Sequence, residues 1–348
     1  MAIIDPKFGK KLKKYGAYEF DACYNCGSCT AVCSLSTEED SFPREMVRFS
    51  VLGMKDDIKS SLKPWLCYYC GECTTYCPQT ANPGELMMSL RRWLITIYDW
   101  TGLSGLLYKY WLVSLFAFLL AAAGVLVFGY YNDYNLESLM HYGHLFEMMA
   151  IAGVFAFILL PNIIRMWYFV ILKPGLKISL ITYIKDFKEL LIHMFTQKRT
   201  LGCDDSVRRW FEHFILVISY LTLLFVTVFL NWFSTQYLFV NILGYVVSAV
   251  IVIVTIDFII DRIRKKKEIS KFSQPSDWLF VIWLSLMGFT AMAVRVLIDT
   301  GLLEKNVWLY LIHLIILVQW ALIIVPFGKW THFLYRSFAM YFAKLKAG

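Results

Sequence analysis

The sequence predicts an all-α protein in two parts: a polar head over residues 1–109 and a six-span transmembrane helix bundle over residues 110–348. Three observations carry this. The 348 residues are 58% hydrophobic and 17% charged, with a mean hydropathy of +0.55; soluble domains run near 45–50% apolar and about 25% charged. Eight of the nine cysteines fall in the head, while the long apolar runs all follow it. The head lacks strand-type alternation, and its apolar residues recur three and four apart. An ordinary water-soluble enzyme, a disordered chain and a disulfide-stapled mini-protein are excluded on these grounds.

A helix needs about 20 apolar residues to cross a bilayer core. Six runs meet that length: Tyr110–Tyr131, Tyr142–Val170, Trp210–Leu230, Tyr237–Ile260, Trp278–Ile298 and Val307–Phe327. Of the 34 Lys and Arg residues, 13 lie in the head, eight in the loop Lys173–Arg209, six in Asp261–Asp277 and four after Phe327. The other three loops hold only Lys305, and Arg165 and Arg295 lie within spans. By the positive-inside rule, 31 of 34 basic residues then sit on one side, with both termini and the head in the cytoplasm of a multi-pass inner-membrane protein. The net charge of +8 is a topology signal and no sign of nucleic-acid binding. The run Arg262-Ile-Arg264-Lys265-Lys266-Lys267 reads as a stop beside anionic lipid. Residues 176–195, with Ile178, Ile181, Ile184, Phe187, Leu191 and Ile192 among Lys and Asp, read as an amphipathic helix on the cytoplasmic surface or a docking helix for a partner.

The N-terminus, MAIIDPKFGKKLKKYG, is basic without an apolar core and does not read as a signal peptide. The head is therefore expected on the reducing side, where cysteines serve as metal ligands and not as disulfides. Two motifs repeat one spacing: Cys23-x2-Cys26-x2-Cys29-x3-Cys33 and Cys67-x2-Cys70-x2-Cys73-x3-Cys77-Pro78. This is the spacing of two-cluster ferredoxins, in which the fourth cysteine ligates the other cluster. The expected sets are Cys23, Cys26, Cys29 and Cys77 for one 4Fe–4S cluster, and Cys67, Cys70, Cys73 and Cys33 for the second. Gly27 and Gly71 allow close backbone approach. Zinc sites use paired CxxC motifs, not triplets with a trailing cysteine. Cys33 is followed by Ser34 where Pro is commoner, and Cys203 stands alone as a plain thiol. Helices are expected after Pro43 and after Pro83. The head is thus a helical two-cluster ferredoxin, a wire with no nucleotide or flavin fingerprint.

Ionisable groups inside a membrane are functional candidates. The topology places His144 and His313 near the outer ends of spans two and six, and His213 and His332 near the inner ends of spans three and six. His313 and His332, read on one helix, are roughly 28 Å apart at 1.5 Å per residue. The depths pair His144 with His313 and His213 with His332, the arrangement for two b-type haems stacked across the bilayer, each held by two imidazoles. His141, one turn before His144, could replace it; His193 lies in the amphipathic helix and is not expected to ligate. Arg295 would pair with Asp299 at i,i+4 or hold a haem propionate. Glu147 shares the outer depth, and these deep polar groups could also form a quinone pocket.

Taken together, the two quartets, Pro43-Arg44-Glu45-Met46-Val47-Arg48 and Pro83-Gly84-Glu85-Leu86 resemble, over residues 17–95, the membrane C subunits of the quinone-interacting membrane-bound oxidoreductases (Qmo), which look like a fusion of the C and E subunits of heterodisulfide reductase. The membrane half is similar to the gamma subunit of respiratory nitrate reductases, which binds two b haems. One departure matters: Leu223 stands ten residues after His213, where that pattern has a second histidine, so its role passes to His144 or His141, or the outer haem is absent. The resemblance implies an electron-transfer subunit of a quinone oxidoreductase, not catalytic alone, exchanging electrons between soluble flavin/iron–sulfur subunits and menaquinone. It further implies anaerobic respiration and sulfur metabolism, with adenylylsulfate reductase as the terminal partner in sulfate reducers. Two other readings compete: a membrane arm of a heterodisulfide reductase-type enzyme, for which only Cys203 remains beyond the quartets, and a non-enzymatic iron–sulfur sensor, which needs no intramembrane ligands.

Overall fold

The computed structural model describes residues 4–198, 201, 206–266 and 268–347. The described residues are helical or irregular, with no strand among them, and six helices are long and apolar enough to cross a membrane. The chain is therefore built as a multi-pass membrane protein with a helical head.

The head winds short helices, among them Arg44–Leu52, Lys55–Ser60 and Lys63–Leu66, around one long helix, Pro83–Tyr98. Pro83 occupies its first turn, where the missing N–H costs nothing. That helix is buried nearly all round, including Glu85, Arg91 and Arg92, so it is a central pillar and not a surface helix. Asp99 ends it by accepting from the backbone N–H groups of Thr101 (3.0 Å) and Ser104 (2.8 Å), which starts the next helix, Leu103–Lys109.

The spans run Trp111–Tyr131, Leu136–Leu172, Val207–Val228, Leu238–Arg264, Pro275–Asp299 and Glu304–Ala347. Span four packs on spans three and five, and span six on spans five, one and two. Spans two and six cover 37 and 44 residues, well beyond the about 20 that cross a hydrocarbon core. Their surplus enters the head. Met166, Val170 and Ile171 of span two, and Tyr335, Ala339 and Phe342 of span six, join Phe8, Trp65, Met87, Leu94 and Tyr98 in one apolar core. The chain passes from head to membrane at Tyr110, where the helix breaks, but the packing does not divide there.

Three expectations are revised. Span two begins at Leu136, not Tyr142, because Asn135 caps it by accepting from the Ser138 N–H at 2.9 Å; His141 and His144 thus lie in its first turns. Span six is not one helix. It passes through a π segment at Trp320–Ile324, where Pro326 follows, and breaks at Gly328 before the final helix Thr331–Ala347. His313 and His332 therefore sit on separate helices, and a single-helix rise does not measure their separation. The amphipathic helix starts at Leu180 and runs to Thr196. It packs against the final helix through Asp186 and Leu190, and leaves Leu180, Ile181 and Ile184 exposed.

Candidate redox centres

The two cysteine motifs fold into the same loop. Asn25 and Tyr69, each two residues after the first cysteine, are left-handed at φ 65° and 58°. Gly27 and Gly71 follow at φ 92° and 94°, and each opens a short helix that presents Cys29 or Cys73. Asn tolerates that backbone region; Tyr does not, and Tyr69 must be held there by its surroundings. Its hydroxyl donates to Glu85 Oε2 at 2.9 Å, and its carbonyl accepts from Arg209 Nη1 of span three at 3.0 Å. Backbone N–H groups of Asn25, Tyr69 and Ala81 donate to the sulfurs of Cys23, Cys67 and Cys77 at 3.3–3.4 Å, contacts of the kind that tune a cluster.

The thiols form two sets. Cys29 has Cys23, Cys26 and Cys77 as electrostatic neighbours. Cys73 has Cys67, Cys70 and Cys33 as its strongest thiol neighbours, and Cys29 acts on it more weakly. No three His, Cys, Asp or Glu among the described residues gather tightly enough for one ion, and the eight thiols of the motifs are free of disulfides. Burial pushes the Cys33 thiol up to about 11 and raises Cys29, Cys67 and Cys73 as well. Such buried thiolates call for a cationic partner to replace their protons. Two sets of four such donors, with amides aimed at the sulfurs, fit a pair of cubanes.

Beneath the second loop lies the seam with the membrane half. Arg91, 3% exposed, donates through Nε to the Pro64 carbonyl at 2.6 Å and through Nη2 to the Cys67 carbonyl. Its Nη1 is 3.5 Å from His332 Nε2. The His332 ring also packs on Trp65 (centroids 5.7 Å), which in turn meets Tyr335 at 5.4 Å. His213, half-buried against Phe258 (5.2 Å), shares Arg336 and Lys329 with His332 as charged neighbours. Close by, Arg92 bonds Glu85 (2.7 Å) and Asp277 (2.8 Å), and Lys329 reaches Asp277 at 2.6 Å. This buried network ties the head to spans five and six. Burial would lower the Arg92 pKa, but Asp277 and Glu85 hold it above its ordinary value. Burial raises Glu85 despite Arg92, and lowers Arg91 to about 10. The seam carries excess positive charge, suited to an anionic group.

At the far end, His144 and His313 line one narrow cavity with Glu147, Asn231, Phe233 and Tyr310, with free space of only about 10 Å³. His313 is buried, and its Nδ1 is 2.9 Å from Thr290 Oγ1. Because the Thr290 hydroxyl donates to the Leu286 carbonyl at 2.7 Å, His313 Nδ1 donates to Thr290. Nε2 keeps its lone pair, as metal-ligating histidines require. His144 Nδ1 stands 3.8 Å from Glu147 Oε2. His141 is exposed beside Tyr142, so His144 is the histidine that faces His313's cavity.

Arg295 pairs with Asp299 (2.7 Å) and also donates to the carbonyls of Trp232 and Thr235. Nη2 is thereby spent on Asp299 and Nη1 on the span three–four loop, which makes Arg295 a clamp between span five and that loop. His193 lies on the helix Leu180–Thr196, 3.6 Å from Glu189. Cys203 lies outside the described residues.

Sequence reasoning missed Trp65, Glu85, Arg91, Arg92, Arg209 and Asp277. Two consecutive arginines within the otherwise apolar helix Pro83–Tyr98 were the available signal, because such charges are seldom buried without a partner.

Residues 13–82 match a family described as a 4Fe-4S dicluster domain. Among curated proteins, the chain is 33% identical over 63 residues to the C subunit of the H(2):CoB-CoM heterodisulfide,ferredoxin reductase of Methanothermobacter thermautotrophicus, and equally to that of Methanothermobacter marburgensis. These matches cover 18% of this chain and 34% of each relative, so the chain spans about a third of the length of the curated relatives it matches. No solved structure matches. The similarity supports iron–sulfur clusters in the head and an oxidoreductase component.

Proposed function

We propose that the chain is the membrane electron-transfer subunit of a quinone-interacting oxidoreductase of the Qmo type. Its head, residues 1–109, binds two 4Fe–4S clusters: Cys23, Cys26, Cys29 and Cys77 hold one, and Cys67, Cys70, Cys73 and Cys33 the other. Residues 110–348 hold b-type haem, with His213 and His332 gripping the inner group and His144 and His313 an outer one. The head faces the cytoplasm, where soluble flavin/iron–sulfur subunits dock, and menaquinone is the membrane substrate. The observation that carries this reading is the contact between the second cysteine loop and His332 through Arg91 (3.5 Å from His332 Nε2). It sets a sulfur-ligand loop and an imidazole on either side of one guanidinium.

When bound, the clusters and haems supply one-electron chemistry. The chain's own residues do the rest. The loop amides donate to the sulfurs and tune each cluster's potential. Arg336 and Lys329, charged neighbours of both His213 and His332, would offset the negative charge that a haem brings there. Thr290 fixes the tautomer of His313. Glu147 stands beside His144, where its carboxylate would orient that imidazole towards the outer group.

The test is metal and haem analysis of the purified complex with redox-poised optical and EPR spectra. The expected result is about eight iron atoms in clusters per chain and a b-type spectrum reduced by a menaquinol analogue. Zinc in place of iron, or no haem absorbance, overturns the reading. The match to the C subunit of a heterodisulfide,ferredoxin reductase favours a second reading, a membrane-anchored component of that reductase type. Electron delivery to a disulfide-reducing partner, with no reduction by menaquinol, would select it.

A further inference from the structure

We propose that Arg91 is a positioning residue that makes the Cys67–Cys73 loop the gateway into the membrane, leaving the Cys23–Cys29 loop as the gateway on the solvent side. The inference rests on the function just proposed and adds an order to its two clusters. The two loops share a backbone conformation but not their surroundings. In the second loop, the carbonyls of Cys67 and Tyr69 both accept from guanidinium groups, Arg91 of the head pillar and Arg209 of span three. One loop is thereby pinned to both halves of the molecule. All three Arg91 nitrogens are used: on Pro64, on Cys67 and beside His332. Trp65, fully buried, lies against the His332 ring.

The first loop is the more open of the two. Tyr24 is 58% exposed and has Cys26 and Cys77 as neighbours, and Cys23 is half-buried where its counterpart Cys67 is buried; Cys26 and Cys70 are exposed alike. Electron tunnelling falls steeply with distance and less steeply through packed, hydrogen-bonded matter than through gaps. The path Cys67 carbonyl–Arg91–His332 is such matter. A buried guanidinium beside a cluster also favours its reduced, more negative form, so Arg91 sets the potential of the second cluster and its reach together.

The experiment uses the intact complex with Arg91→Gln and Arg91→Lys. A soluble paramagnetic chelate first sorts the two cluster EPR signals, since the solvent-side cluster relaxes more strongly in its presence. Arg91→Gln is expected to keep the iron content, to lower the midpoint potential of the weakly relaxed signal alone, and to slow haem reduction by a soluble donor about tenfold or more. Arg91→Lys, which keeps the charge without the fork of donors, should hold the potential near wild type while still slowing transfer. If Arg91→Gln loses iron, the Lys variant carries the test by the same two readouts. A shift in the strongly relaxed signal, an equal shift in both, or unchanged haem reduction overturns the proposal. Absence of b-type absorbance in the wild-type complex would instead overturn the underlying reading.

Discussion

Trp100 Nε1 donates to the Phe157 carbonyl at 2.8 Å, joining the end of the head pillar to the middle of span two. The bond has a cause four residues on. Pro161 has no N–H, so the Phe157 carbonyl loses its helical donor and the helix widens into a π segment at Phe155–Leu159. In lipid an orphaned carbonyl has no water to turn to. Trp100→Phe is therefore expected to destabilise the protein by about 1–3 kcal/mol, read as a lower apparent melting temperature in detergent. An unchanged melt would show that the carbonyl finds another donor.

The crossover of the cysteine sets makes a counterintuitive prediction. Cys33 follows the first motif, yet Cys67 and Cys70 are its thiol neighbours. Cys33→Ser should alter the EPR signal that Cys67→Ser alters and leave the one that Cys23→Ser alters. If Cys33→Ser groups with Cys23→Ser, the assignment by spacing is wrong.

At the far end, Gly143 lets span two approach span six: a Cβ there would come within 2.7 Å of the Tyr310 hydroxyl and 3.0 Å of Leu314. Gly143→Leu should push the spans apart and separate His144 from His313. Haem content by pyridine haemochromogen assay should fall from two per chain to one, with His332→Ala removing the one that remains. A wild-type count of one, lost in His332→Ala and kept in His144→Ala, would make the outer cavity a quinol site instead.

Glu85 gives a pH dependence. Burial raises its pKa in the folded protein above the ordinary 4.5, even beside Arg92. A raised carboxyl contributes stability that is present below the unfolded pKa and is lost as pH rises through the folded one. Relative to Glu85→Gln, the wild type should therefore be favoured at pH 4.5 and lose ground towards pH 7.5, as measured by paired thermal melts. A difference that stays constant across this range would contradict the raised pKa.

What was readable in the sequence was what repeats locally. The quartet spacing singled out the eight head cysteines, and apolar length found all six spans, because each signal needs only near neighbours in the chain. Depth along the spans brought His144 to the cavity of His313, since position in a bilayer is itself a one-dimensional quantity. The break at Gly328 was not readable, because Thr331–Ala347 continues the helical pattern on the other side of it. Arg295 showed its partner Asp299 at i,i+4, but the loop carbonyls of Trp232 and Thr235 that it also binds lie 63 and 60 residues away. The seam around Arg91 and Asp277 was invisible for the same reason: its hydrogen bonds join residues up to 241 positions apart.

The shared apolar core has a consequence for biogenesis. The head is synthesised before the spans, yet residues that follow them complete it, since Tyr335, Ala339 and Phe342 fill the space under Trp65 and Tyr98. A nascent head therefore waits, incompletely packed, until the whole membrane half has been inserted and the helix Thr331–Ala347 swings back beneath it. A head severed at Lys109 would lack that part of its core and be an unfinished object, not a free-standing ferredoxin.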